Sequence, residues 1–199
     1  MLESTRVVDT VVLDKTGTVT SGRMAVVAVV PGPGVEVDEV VRRAGAAESG
    51  SSHPVARAVT AYAVGAGPLP AVTGLREPPG LGVVAEVAGL GGVVVGRPEL
   101  LAAEGLAADP ELTRAYAAEQ ARGRTVVLAG WAGRPRGLLA VADTVKPTSA
   151  EAVRLLRGLG LRPVLLTGDT AATAAAVAAE VGIADVWPTS GRPTRSRRS

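Results

Sequence analysis

The chain has 199 residues, 47% hydrophobic and 20% charged, enough for one or two small globular domains and too apolar for a disordered chain. Gly, Pro, Thr or a charge interrupts every Val/Ala run before the roughly 18 apolar residues that a membrane-spanning helix needs. Zero Cys excludes disulfides, thiolate metal sites and Cys nucleophiles. The opening residues, MLESTRVVDT, lack the basic, apolar and small-residue segments of a secretory signal, which predicts a cytoplasmic location. With no Phe, two Trp and two Tyr, the core is expected to be Val, Leu and Ala and only modestly stable. The last eight residues, RPTRSRRS, carry four Arg and no acid, so the net charge of +2 becomes −2 without them. Residues 187–199 are therefore read as a basic, disordered tail, and no nucleic-acid partner is expected.

In chain order, residues 6–13 (RVVDTVVL) form a short β-branched run that ends on Asp14 and is broken by Thr16-Gly17-Thr18, the pattern of a buried strand. A second apolar run, 24–30, stops at Pro31-Gly32-Pro33-Gly34. Residues 36–47 place Val37, Val40, Val41 and Ala44 at helical spacing, and Pro54 opens a second helix to about Val64. Short Val-rich runs at 83–87 and 93–95, separated by glycines, predict antiparallel strands. Helices are expected at 99–104 and 110–122, and a hairpin at 125–131 and 136–142 across Ala132-Gly133. A helix at 147–159, a strand at 163–166 and an Ala-rich helix at 170–180 follow. The ends are thus parallel α/β and the middle is an antiparallel sheet with helices. This predicts an α/β chain: a discontinuous Rossmann-like parallel-sheet domain over 1–22 and 140–186, with an α+β domain over 23–139 inserted and a hinge at the two crossings.

Asp14 begins the string Asp14-Lys15-Thr16-Gly17-Thr18-Val19-Thr20. A carboxylate at the carboxyl end of a parallel strand lies where open α/β sheets bind ligands, and the loop after it offers N–H groups and hydroxyls to a phosphate. An Asp that ends a strand is also a turn former, so both readings stand on the residues alone. Thr167-Gly168-Asp169 again follows an apolar strand; it reads as a second phosphate loop, and equally as a strand end with Asp169 or Thr170 capping a helix.

Together, DKTGTVT, TGD and ESGSSHPVA resemble the cytoplasmic phosphorylation and nucleotide-binding region of a P-type ATPase, and the His-Pro pair is similar to the heavy-metal, copper-like class. The resemblance covers about residues 3–186 and implies the haloacid-dehalogenase-like fold. It implies that Asp14 attacks the γ-phosphate of ATP to form an aspartyl-phosphate, with Lys15 in the same motif. Mg²⁺ would be held by Asp14 and the Thr16 carbonyl, and the Thr16 and Thr167 hydroxyls, with Gly168 and Asp169, would serve the phosphate. Phosphatases of this fold carry a second Asp where Thr16 stands, so slow hydrolysis of the acyl phosphate is implied. In the inserted domain, Ser51-Ser52-His53-Pro54 resembles the family's Ser-Glu-His-Pro, which implies that His53 and Glu48 contact the adenine. Gly80-Leu81-Gly82 and Gly96-Arg97 resemble loops approaching the nucleotide, although the family often has Asn after the latter glycine. Asp143-Thr144-Val145-Lys146-Pro147 resembles the returning hinge segment, with Asp143 near the catalytic pocket; for Lys146, a charged loop before a helix is an equal reading.

The family also carries a Lys segment and a Gly-Asp-Gly-x-Asn-Asp loop after TGD; the only Lys residues here are Lys15 and Lys146, and that loop does not occur. Back-translation of residues 187–199, read two bases onward, permits a segment resembling the one with the missing Lys. The expectation is an ATP-dependent, Mg²⁺-requiring catalytic region of a heavy-metal pump, truncated and impaired, whose membrane part lies outside this sequence. An ATP-binding fragment without catalysis and a stand-alone phosphatase are the competing expectations.

Overall fold

The computed structural model describes residues 8–189 and the backbone of 194–195. Strand β1 (Thr10–Asp14) leads through an irregular turn at Lys15–Val19 into β2 (Thr20–Pro31). Helices α1 (Val37–Glu48) and α2 (Pro54–Ala66) precede three strands: β3 (Val72–Arg76), β4 (Gly82–Val87) and β5 (Gly91–Gly96). Next come α3 (Pro98–Ala103), α4 (Pro110–Ala121), β6 (Thr125–Trp131) and β7 (Arg134–Val145). The chain ends with α5 (Ser149–Gly158), β8 (Arg162–Thr167), α6 (Ala171–Val181), β9 (Asp185–Pro188) and the two-residue β10 (Thr194–Arg195). It divides into two compact units, Met1–Arg23 with Asp143–Ser199, and Met24–Ala142. The mixed α/β class expected from the sequence is the one observed.

The first unit is built on a sheet of order β1-β8-β9-β10. β1 and β8 run parallel, with Asp14 opposite Leu166, and β8 runs parallel to β9. Its core joins Leu165 of the sheet and Val153, Val177, Ala178 and Val181 of α5 and α6 with Val19 from the turn after β1 and Ile183 from the α6–β9 loop. Strand β9 corrects the reading of 187–199 as a disordered tail at the first two of those residues, because Trp187 and Pro188 pair with Leu166 and Thr167. Thr189 N–H extends the ladder by donating to the Thr167 carbonyl. A strand this short, followed by Pro, Arg and Ser, carries no readable periodicity. Of that tail, the side chains of 190–199 lie outside the described residues, as do residues 6 and 7 of the expected first strand.

The second unit carries an antiparallel sheet of order β2-β7-β6-β5-β4-β3, with β2 and β7 also crossing into the first unit. Both are 12-residue strands, longer than the apolar runs that predicted them. The polar ends of these strands are held by hydroxyl bonds within the first unit: Thr20 Oγ1 lies 2.5 Å from Asp143 Oδ2, and Ser21 Oγ lies 2.9 Å from Thr144 Oγ1.

This sheet is covered on both faces, and the period-2 alternation of strand side chains divides its residues between two cores. Val93, Val95, Val127, Ala129, Leu139 and Val141 pack with Val40, Ala44 and Val59 of α1 and α2. Val94, Val126, Leu128, Leu138 and Ala140 pack with Leu100, Leu101 and Leu112 of α3 and α4. Without Phe, the volume is filled by closely set small side chains, and the large Trp131 ring at the edge is stacked by the Arg43 guanidinium at 4.8 Å. Leu139 has no solvent exposure. Leu139→Ala is expected to lower unfolding stability by about 2–5 kcal/mol in urea titration, whereas a loss below about 1 kcal/mol would contradict a close-packed core here.

Candidate functional site

In the first unit, the parallel pairing of β1 with β8 brings the loops after both strands to one end of the sheet. Asp14 closes β1 with its side chain exposed, while Lys15 immediately after it is only 6% exposed. Beyond them the chain leaves helical geometry at Thr16 and reverses at Gly17, whose φ of 76° lies in the left-handed region that glycine occupies without a Cβ penalty. The Lys15 ammonium lies 2.7 Å from Asp169 Oδ2 and 3.6 Å from Asp143 Oδ2. Thr20 Oγ1 is within hydrogen-bond distance of both Asp143 Oδ2 and the Lys15 carbonyl. The other oxygen of Asp143, Oδ1, is buried and meets no donor.

The Thr-Gly-Asp loop is held by Thr167, a buried residue whose Oγ1 accepts the Asp169 N–H at 3.1 Å. Thr170, not Asp169, caps α6, with its Oγ1 accepting the Thr173 N–H. Asp169 is thereby free to pair with Lys15. Lys146 donates from Nζ to the Gly17 carbonyl and from its backbone to the Val19 carbonyl, and Ser149 Oγ also donates to Val19. Three residues of this cluster, Thr20, Lys146 and Ser149, thus brace the loop that follows Asp14. Asp14, Lys15, Thr16, Thr167, Gly168, Asp169 and Asp143 all belong to this unit.

Mg²⁺ takes oxygen ligands, usually one or two carboxylates together with phosphate oxygens and waters. The exposed Asp14 carboxylate and the Thr16 carbonyl are donors of that kind. No group of three His, Cys, Asp or Glu side chains able to hold a metal occurs among the described residues. The donor set therefore suits an ion shared with a phosphate rather than one caged by protein alone.

In the second unit, a cavity of about 430 Å³ is lined by residues of the α1–α2 loop, the β3–β4 loop and β6, with Arg97 at its rim. Glu48, the last residue of α1, is 4% exposed and lines it with Glu77, His53, Gly80 and Gly82. Its walls are apolar at Val55, Ala56, Val83 and Val127. His53 is the N-cap of α2, its Nδ1 accepting the Val55 N–H at 3.2 Å. A neutral imidazole arranged this way carries its proton on Nε2, which is left as a donor. Pro54 supplies the first helical position, where its missing N–H costs nothing.

The glycines differ in role. Gly80 turns the chain at φ 70° with open space where a Cβ would stand. Gly82 and Gly96 face one another across β4 and β5. A Cβ on Gly82 would lie 2.1 Å from the Val95 carbonyl oxygen, and one on Gly96 2.2 Å from that of Leu81. They permit close approach of two strands, and neither Gly96 nor Pro54 lines the cavity. Glu77, missed in the sequence, does line it; only its proximity to Glu48 in space marks it out. Burial first, and the Glu77 charge second, push the Glu48 carboxyl up from 4.5 to about 8.

A parallel sheet with an Asp at the end of one strand and Thr-Gly-Asp at the end of its neighbour defines the class. The family model for haloacid dehalogenase-like hydrolases matches residues 8–191, and the chain belongs to this family. Its homologues are P-type ATPases. It is 45% identical over 187 residues, 94% of the chain, to the probable copper-exporting P-type ATPase V of Mycobacterium tuberculosis. It is 40% identical over 186 residues to the copper-exporting P-type ATPase of Bacillus subtilis. A crystal structure of a zinc-transporting PIB-type ATPase in the E2.Pi state superposes on 88% of the chain with a TM-score of 0.79 at 33% identity, and the match takes in 28% of that chain. The chain spans about a quarter of the length of the curated relatives, 24% and 23% of the two named here.

The Glu48 environment makes stability depend on pH. The unfolded chain releases this proton near 4.5 and the folded one near 8, so the unfolded state binds fewer protons between the two. The contribution is complete below about 4.5 and is lost as pH rises to about 8, on the order of a few kcal/mol. Urea unfolding across this range should show Glu48→Gln losing that slope relative to the parent chain; parallel profiles would refute it.

Proposed function

We propose that this chain binds ATP and is phosphorylated on Asp14 as the catalytic part of a heavy-metal P-type ATPase. The observation that carries the reading is the position of Asp14, exposed at the carboxyl end of β1 and one parallel strand away from Thr167-Gly168-Asp169. An Asp14 oxygen attacks the γ-phosphorus. As the new P–O bond forms, the bond from that phosphorus to the β–γ bridging oxygen breaks, and ADP leaves with the electron pair. Bound through Asp14 and the Thr16 carbonyl, Mg²⁺ would neutralise charge on the phosphate oxygens. Thr16 and Thr167 offer hydroxyls to the same phosphate, and Gly168 lets the loop pass close to Thr189, whose Oγ1 would lie 3.0 Å from a Cβ there. Thr16 cannot act as a general acid or base, so the acyl phosphate persists.

The base of ATP is assigned to the cavity of the second unit, between Glu48, His53 and the turn at Gly80, with Arg97 and the Gly82 strand end towards the phosphates. The copper-exporting relatives support the reading that the whole protein carries a soft heavy-metal cation through a membrane part. No helix among the described residues is long and apolar enough to cross a membrane, and this region would work at the cytoplasmic face. A second reading, ATP binding without phosphoryl transfer, is favoured by one observation. The Lys15 ammonium is taken up by Asp169 and Asp143, and no ion pair among the described residues reaches Asp14.

Incubation with γ-labelled ATP should leave an acid-stable, hydroxylamine-labile label that Asp14→Asn abolishes. Absence of label with ATP still bound selects the second reading. His53→Ala should weaken ATP binding about threefold to tenfold by calorimetry, from loss of one donor; unchanged affinity would remove His53 from the base site.

A further inference from the structure

Glu48, 4% exposed as a residue, turns its carboxyl to the cavity with no hydrogen bond or ion pair to another side chain among the described residues. A buried carboxyl without a protein donor is costly unless it is neutral or meets a ligand. The groups around it decide which. Glu77 comes from the β3–β4 loop, His53 from the α1–α2 loop and Arg97 from the junction of β5 with α3. β4 and β6 present Val83, Thr125, Val126 and Val127, none of them charged. The buried walls and the second carboxylate both act against ionisation, and the Arg97 side chain is exposed at the rim.

We propose that Glu77 is a positioning residue for base recognition: it keeps Glu48 a neutral acid, whose hydroxyl donor and carbonyl acceptor match the donor–acceptor edge of adenine. This rests on the nucleotide-binding reading above. Adenine offers an amino donor beside a ring-nitrogen acceptor. An ionised carboxylate has only acceptors, so it keeps one of those two bonds and sets an oxygen lone pair against the ring nitrogen. Guanine offers two adjacent N–H donors on its pairing edge, the arrangement that suits a carboxylate. Ionisation of Glu48 therefore turns the cavity away from adenine and towards guanine. Glu77 is exposed, so its replacement leaves the fold intact.

The test is calorimetric binding of ATP and of GTP to the full chain between about pH 7 and about pH 9, on either side of the Glu48 value of about 8. In the parent chain, the ratio of ATP to GTP affinity is expected to fall about tenfold over this range, the scale of one bidentate contact to a base edge. In Glu77→Gln the same fall should occur at lower pH. In Glu48→Gln, whose amide fixes one donor and one acceptor, the ratio should not depend on pH. A flat ratio in the parent chain with ATP still bound, or a Glu77→Gln profile that superposes on the parent, overturns this proposal alone. No nucleotide binding at any pH overturns both it and the proposed function.

Discussion

The first unit is organised around one buried cation. A lysine ammonium withdrawn from water carries a penalty of several kcal/mol that only close, well-placed anions offset. Lys15 meets this condition by drawing in Asp169 from the loop after β8 and Asp143 from the end of β7. Those contacts put three segments distant in sequence against one another, and Thr20 ties Asp143 to the backbone of Lys15. The net worth of such a cluster to stability is small, because the attraction is spent on desolvation. Its value lies in specificity, since an alternative packing of these loops would strand either the cation or two carboxylates.

The second unit answers a different constraint, a core with almost no aromatic volume. A sheet covered on both faces spreads burial over many Val, Leu and Ala side chains, and strands with apolar residues at every position serve both cores at once. The cavity occupies the place where this pattern is interrupted by Gly80 of the β3–β4 loop and by the polar run Ser51-Ser52-His53. Close approach of β4 and β5 at Gly82 and Gly96 belongs to the sheet, and only Gly80 belongs to the open turn.

Much of this architecture is legible in the sequence because it is local. The helical spacing of Val37, Val40, Val41 and Ala44 marks α1, Pro54 marks the start of α2, and the Val runs separated by glycines mark β4 and β5. The two phosphate-type loops are likewise contiguous strings after strands. What stays hidden is set by distance through space. Glu77 looks like an ordinary loop charge until β3 and α1 place it on the Glu48 cavity, and Thr20 looks like a strand terminator until Asp143 arrives beside it. β9 is invisible because four residues too short for a period gain their identity from the parallel partner β8. The double role of His53, helix cap and cavity wall, is similarly a matter of which ring nitrogen the fold occupies.

The opposite environments of Asp14 and Lys15, one exposed and the next buried, carry a consequence for the evolution of this segment. With the pairing of β1 to β8 kept, one residue inserted into β1 advances the chain by one position, so that Asp14 falls where Lys15 now lies and Lys15 moves on to the exposed place of Thr16. The carboxylate would then enter the space between Asp143 and Asp169, where three like charges meet, and the ammonium would turn outward. Substitutions along β1 can be absorbed one at a time, whereas its length is fixed by the pair that follows it.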